Sequence, residues 1–296
     1  MNILITGGCG HIGSYVVRNL VGDYNITVVD NLITGRYCSL FDMNRPIKFI
    51  EDDIDNINEE MLSNFDVVLH LAAITDAAGS FGNKEEIEVV NVEKTKSLID
   101  RCVNSKIKTF IFPSSTSVYG VSVDVVDESN DTFINPQSPY AESKVVIENY
   151  LKDVGINYYV FRFGTIFGLS IGMRFHTAIN KFCYQKSIGE PLTIWKENYH
   201  QVRPYLGLGD CLSVIEMAIR KEIPYGLYNV LSENIKLSEV VKVIGDVDID
   251  FVDTPLLNQF SYDVSFEKIK GYGFIPKDTI SNEIPLILNK LRNLNG

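Results

Sequence analysis

The chain has 296 residues, 45% of them hydrophobic, and a mean hydropathy of +0.04, which suffices for a sizeable core in one large domain or two interlocked ones. Its 27 Lys and Arg face 38 Asp and Glu, giving a net charge of -11 and a pI of about 4.9. So acidic a chain is poorly suited to nucleic acid or an anionic membrane surface, and an anionic substrate would need a local basic pocket.

The first strand is a short apolar run, Ile3-Leu4-Ile5, which meets Thr6-Gly7-Gly8-Cys9-Gly10-His11-Ile12-Gly13. Apolar residues at helical spacing follow (Ile12, Val16, Val17, Leu20), and a second strand, Ile26 to Val29, ends on Asp30. Strand, glycine turn, helix, strand and acid outline a dinucleotide-binding βαβ unit. Glycine lets the backbone turn tightly and approach a pyrophosphate. The helix N-terminus offers that pyrophosphate unpaired N–H groups. Asp30 can accept hydrogen bonds from the adenosine ribose and would repel a 2′-phosphate, so NAD is favoured over NADP.

Further strands are expected at residues 47–50, 66–71, 108–113 and 158–163, the second apolar enough to be buried on both sheet faces. Helical spacing marks residues 85–103 and 139–154. The alternation predicts an α/β fold, a doubly wound parallel sheet of Rossmann type with a smaller C-terminal substrate-binding region. Beyond Gly168 the pattern is less regular: helices are expected at 172–186, 210–220, 237–244 and 284–294, and a short strand at 192–194. This suggests an NAD-binding domain over 1–168 and a mainly substrate-binding region over 169–296, with 201–222 packing back onto the first domain.

Five scattered cysteines without a C-x-x-C pair fit free thiols in a reducing compartment. The N-terminal apolar run is too short for a signal peptide, and no apolar stretch reaches membrane-spanning length, so a cytoplasmic location is expected. The four histidines show no metal-ligand spacing, and no metal is expected.

Tyr140-Ala141-Glu142-Ser143-Lys144 places Tyr and Lys on one helix face. A nearby ammonium favours tyrosinate, which could act as a general base on a hydroxyl. Such a pair arises by chance about once in a chain of this composition, so its weight comes from position. Upstream, Ser114-Ser115-Thr116-Ser117 lies just past a strand's carboxyl end, where a Ser could hydrogen-bond the oxygen that Tyr140 deprotonates.

Thr6-Gly7-Gly8-x-Gly10-x-x-Gly13, His70-Leu71-Ala72-Ala73, Asn91, Ser114-Ser115-x-x-Val118-Tyr119-Gly120 and Tyr140-x-x-x-Lys144 occur in that order. Together they resemble the extended short-chain dehydrogenase/reductases, the NAD-dependent nucleotide-sugar epimerases and dehydratases, from residue 1 to about residue 210. The resemblance implies Tyr140 as base, Lys144 as its ribose-binding partner and Ser115 as the catalytic hydroxyl. It implies NAD contacts from Gly7, Gly10, His11, Ile12, Gly13, Asp30, Asn31, Asp53, Ile54, Leu71, Ala72, Ala73 and Asn91, with Asp52 standing where the family has Gly. It implies a nucleotide-diphosphate sugar as substrate, met by Thr116, Thr165 (for the usual Asn), Arg174, Asn180 and Arg203. A second diphosphate Arg, common in the family, has no counterpart in Asn258-Gln259-Phe260-Ser261. Residues 169–175 resemble a subgroup that includes a GDP-heptose C4 dehydrogenase. Family members commonly dimerise through two long helices, here 85–103 and 139–154, burying Val145, Val146 and Tyr150, so a homodimer or higher homo-oligomer is expected.

The resemblance also narrows the reaction. Family dehydratases place Asp-Glu directly after the catalytic Thr; here Thr116-Ser117 follow Ser115. The decarboxylases' Glu and the GDP-fucose-synthase type's Cys are likewise absent at Ser117. What remains is oxidation at a carbinol, as in a 4-epimerase that re-reduces its 4-keto intermediate or a C4 dehydrogenase that releases it. A non-catalytic NAD-binding regulator is the alternative of another class, opposed by an intact Ser115, Tyr140 and Lys144.

Overall fold

The computed structural model describes residues 1–75, 79–120, 122, 124–253, 262–292 and 294. Its strands are β1 (Asn2–Thr6), β2 (Asn25–Asp30), β3 (Lys48–Glu51), β4 (Val67–His70), β5 (Thr109–Ser115), β6 (Val125–Val126) and β7 (Tyr158–Phe163). Then come β8 (Thr165–Phe167), β9 (Leu192–Trp195), β10 (Val202–Gly207), β11 (Gly226–Val230), β12 (Glu233–Lys236), β13 (Ile249–Val252) and β14 (Asp263–Val264). The helices are α1 (His11–Leu20), α2 (Glu59–Leu62), α3 (Lys84–Ile87), α4 (Lys94–Asn104) and α5 (Pro139–Asp153). They continue with α6 (Ala178–Ser187), α7 (Leu208–Arg220), α8 (Leu237–Ile244), α9 (Glu267–Lys270) and α10 (Ile280–Leu291).

Among the described residues, the main sheet runs β3-β2-β1-β4-β5-β7-β11, with every neighbouring pair parallel. Alternation along each strand feeds two cores. Ile3, Ile5, Val28 and Leu69 face α1 and α7, whereas Leu4, Val29, Val68 and Phe110 face α4 and α5. Strand order reverses at β1, between β2 and β4, so a crevice opens at the carboxyl ends there. A third core, from α6, α8, α10, β9 and β10, belongs to the C-terminal region. The short sheets β12-β10-β8 and β14-β6 knit that region to the first, and β13-β9 lies within it.

Residues 85–103 are helical as expected, but a π-helical turn (Glu88–Glu93) separates α3 from α4. The helix expected from Gly172 starts only at Ala178. The intervening residues are used elsewhere: Gly172 N–H donates to Ser14 Oγ at 3.0 Å, and a Cβ there would lie 2.6 Å from the Cys9 carbonyl oxygen. The last helix begins at Ile280, where Thr279 caps it, and carries Pro285 inside. The run expected over 284–294 therefore starts four residues earlier and ends at Leu291. β11 joins the main sheet beside β7, and α7 packs on the β1 side, so residues 208–230 share the first core. Among the described residues no helix is long and apolar enough to cross a membrane.

Candidate active site

A cleft of about 1400 Å³ runs along the carboxyl edge of the sheet, from the ends of β2 and β3 to the C-terminal region. At one end lies the glycine turn. Gly7 has φ +69°, and a Cβ on it would stand 2.5 Å from the Ala72 nitrogen; one on Gly13 would stand 2.4 Å from the Gly7 carbonyl oxygen. No side chain caps α1, and Gly10, His11, Ile12 and Gly13 line the cleft. The result is a bare helix N-terminus, suited to a phosphate group. His11 Nε2 bonds the Gly168 carbonyl oxygen at 3.0 Å, and burial pushes its pKa down to about 4, so the ring is neutral.

Asp30 ends β2, and its carboxylate accepts the N–H groups of Cys9 (2.9 Å) and Leu32 (2.8 Å) while facing the cleft. Asn31 Nδ2 donates to Asp53 at 3.3 Å. Asp53 also pairs with Lys94 at 2.9 Å, and Lys94 reaches Asp55 at 3.0 Å. Burial alone would raise the Asp53 pKa; the Lys94 and Asp55 hydrogen bonds outweigh it and hold the carboxyl below its usual range. Ile54, Leu71, Ala72 and Ala73 complete this wall. Lys94 escaped the sequence reading because no motif marks it; its signal is that Glu86, Val90 and Lys94, at helical spacing, all line the cleft.

Asn91, expected at the cofactor, does not line the cleft. It is buried in the π-helical turn, where Oδ1 accepts the Ile74 N–H (2.8 Å) and Nδ2 donates to the Ile74 carbonyl (2.9 Å) and Ser143 Oγ (3.4 Å). It therefore ties the segment after β4 to α5.

At the centre, β5 ends on Ser115, whose Oγ accepts the Ser117 N–H (3.2 Å) and hydroxyl (2.9 Å). α5 starts with Ser138 as its cap, accepting the Ala141 N–H at 3.2 Å, and Pro139 in its first turn. This start brings Tyr140 into the cleft that Ser115 also lines. Lys144 lies one turn on. Its Nζ donates to the Pro113 carbonyl at 3.0 Å, 4.5 Å from the Phe112 ring centre and 5.7 Å from that of Tyr140. Burial pushes its pKa down to about 8.

The expected lowering of the Tyr140 pKa by Lys144 is not what the geometry gives. Burial pushes the phenol up, and the opposing influences are Arg174 and the Ser115 side chain. Lys144 instead spends its charge on Pro113 and the Phe112 ring face. Arg174 is bonded to Thr75 Oγ1, close to the end of β4, so it serves the Tyr140 end of the cleft. Asn180, expected to touch substrate, is fully buried and holds the segment that carries Arg174. Its Oδ1 accepts the Gly168 N–H (3.3 Å), and its Nδ2 donates to the Arg174 carbonyl (3.0 Å).

Beyond the centre, Thr116, Thr165 and Arg203 all line the cleft. Arg203 donates to Gln201 Oε1 at 3.0 Å, and its guanidinium lies 5.4 Å from the Tyr262 ring centre. The Tyr262 hydroxyl in turn meets Thr116 Oγ1 at 3.5 Å. Tyr262 thus joins the Ser115 loop to Arg203, a role no sequence motif announced. Residues 258–261, read as lacking a second Arg, lie outside the described residues. Cleft-lining carboxylates among the described residues are Asp30, Asp52, Asp53 and Glu86, none of them within Ser115-Thr116-Ser117. Among those residues no group of three or more His, Cys, Asp or Glu could hold a metal.

A doubly wound sheet, a glycine turn facing an acid, and a Ser beside Tyr and Lys define a dinucleotide-dependent enzyme of the short-chain dehydrogenase/reductase class. The chain belongs to the NAD dependent epimerase/dehydratase family, whose sequence model matches residues 3–230. It is 31% identical over 238 residues to YtcB of Bacillus subtilis (strain 168), an uncharacterized UDP-glucose epimerase, covering 75% of this chain and 73% of the relative. It is 29% identical over 309 residues to the dTDP-D-glucose 4,6-dehydratase of Bos taurus, covering 93% and 84%. The crystal structure of a UDP-glucuronic acid 4-epimerase from Bacillus cereus, in complex with UDP-glucuronic acid and NAD, superposes with a TM-score of 0.88. Its identity is 25%, over 98% of this chain and 99% of that one. The cofactor of the family is NAD, and the glycine cradle that a Cβ would fill, the uncapped α1 and Asp30 fit it.

Proposed function

We propose that the protein is a nucleotide-sugar 4-epimerase acting through a 4-keto intermediate. The observation that carries this reading is that Ser115, at the end of β5, and Tyr140 and Lys144, on α5, line one cleft, with no carboxylate in the Ser115-Thr116-Ser117 loop to assist elimination of water. In this reading Ser115 orients the sugar's C4 hydroxyl and Tyr140 removes its proton. Arg174 stabilises the phenolate against the cost of its burial. NAD, when bound, supplies the site's hydride acceptor and donor. Tyr140 then returns the proton to the C4 oxygen after the sugar has turned over. Lys144 holds the cofactor ribose, Asp30 and Asn31 the adenosine ribose, Asp53 and Ile54 the adenine. The diphosphate falls to Arg203, braced by Tyr262, with Thr116 and Thr165 meeting the sugar.

Homodimerisation through residues 85–103 and 139–154 is supported by the exposure of Val89 on the first and Val146 on the second. A monomeric mass by light scattering at micromolar concentration would remove the dimer. The reaction is tested by incubating purified protein with UDP-, GDP- and dTDP-sugars. Epimer without net NADH supports the reading. NADH accumulation would make it a C4 dehydrogenase, loss of water a dehydratase, and no reaction across the panel a binding protein.

A further inference from the structure

Behind the Ser115–Tyr140 pair runs a buried polar chain that the reaction as described does not use. Glu148, on α5 one turn beyond Lys144, is 2% exposed, and Arg162, in β7, is 3% exposed. Arg162 Nη2 donates to Glu148 Oε2 at 2.5 Å, and its Nε donates to Oε1 at 3.0 Å. Ser114, the neighbour of Ser115, donates its hydroxyl to Glu148 Oε1 at 2.5 Å. On the far side Arg162 Nη1 donates to the Tyr119 hydroxyl at 2.9 Å, and Tyr119 donates to Asn229 Oδ1 at 2.7 Å.

A buried ion pair of this kind adds little stability over a well-packed apolar pair, so its presence calls for another account. Lys144 supplies one. Its ammonium is buried on a neutral carbonyl and an aromatic face. The groups around it are Tyr140 and Glu148 on its own helix, Phe112 and Pro113 on β5, and His70 on β4. His70 is neutral there: burial pushes its pKa to about 3, with Thr6 and Thr95 on its two ring nitrogens. Lys144 and Glu148 are both buried on α5 four residues apart, the spacing at which helical side chains are neighbours, and the Glu148 charge favours the ammonium.

We propose that Glu148, fixed by Arg162, is a positioning residue that keeps Lys144 protonated and, through Ser114, locks this charge to the strand end bearing Ser115. The proposal rests on the reading of Lys144 and Tyr140 as a working pair. Burial alone works against the ammonium, and Glu148 offsets part of it. Arg162 holds the Glu148 carboxylate in place through Nε and Nη2. Removing the anion therefore makes Lys144 lose its proton at lower pH.

The test is a 13C NMR titration of the lysine ε-carbons in the full chain, with Lys144→Met to assign the signal. Glu148→Gln should lower the Lys144 midpoint by about one pH unit, and the alkaline limb of the turnover profile should move the same way. Glu148→Gln with Arg162→Met removes both charges and guards against misfolding; it should shift the midpoint in the same direction but less. An unchanged Lys144 midpoint in a folded variant, checked by circular dichroism, would overturn the proposal. The NMR readout needs no sugar turnover, so it stands apart from a failure of the epimerase reading: a shifted midpoint in a protein inactive on every sugar would leave Glu148's role intact and sink the epimerase.

Discussion

The two ends of the cleft are built by different means. At the cofactor end, the glycine turn, Asp30, Asp53 and Leu71-Ala72-Ala73 sit at the carboxyl ends of β1 to β4, each placed by its own strand. At the sugar end, Arg174, Arg203 and Tyr262 come from separate short segments, held by Asn180, Gln201 and one another. A parallel sheet positions residues by register, which local sequence encodes. The cap positions them by side-chain contacts, some local and some, like Arg203 on the Tyr262 ring, between distant segments. Tyr140 and Ser115 stand between, delivered by α5 and β5 and tuned by the cap through Arg174.

Substitutions at the two ends should therefore separate cleanly. Tyr140→Phe, at the junction, has the largest expected effect: proton abstraction contributes roughly 10²–10⁴-fold, so turnover should fall by that order with NAD affinity kept. Near-normal turnover would mean another group is the base. Arg203→Ala should act only on the sugar side. Losing one charged partner costs about 2–5 kcal/mol, so the KM for the sugar nucleotide should rise at least about tenfold. An unmoved KM would locate the diphosphate elsewhere, nearer Arg174.

Gly13→Ala should act only on the cofactor side. Overpacking costs about 1–3 kcal/mol, and titration should show NAD binding weakened to match, with no change in sugar-nucleotide affinity beyond it. On the same side, the Asp30 carboxylate should make NAD bind more tightly than NADP; equal affinities would show that Arg36, also lining the cleft, offsets it. The smallest effect is a shift of pH. Arg174→Met removes a cation that lowers the Tyr140 pKa. A base with a raised pKa needs a higher pH to lose its proton, so the acid limb of kcat should move up by up to about one unit. An unmoved limb would mean that the cap does not tune the base.

What the sequence disclosed follows the same division. Gly7, Gly13, Asp30, Ser115, Tyr140 and Lys144 were legible because each stands at a fixed distance from a strand end or within one helix. From their motif positions Asn91 was placed at the cofactor as a structural Asn and Asn180 at the substrate. The fold turns both inward, Asn91 onto Ile74 and Asn180 onto Gly168 and Arg174, because a buried amide needs partners for both its ends. Lys94 and Tyr262 were missed: their partners lie far away in the chain, at Asp53, Thr116 and Arg203. The Tyr140–Lys144 spacing puts both groups at one cleft, but spacing does not say where an ammonium points.

The central claim is that C4 of the sugar is oxidised and re-reduced within one site. It is tested most directly with a nucleotide sugar, chosen from the panel as a substrate, that carries deuterium at C4. The account predicts a C4 epimer that keeps its deuterium, with no NADH accumulating. Loss of the label to solvent, or its appearance in released NADH, would contradict it.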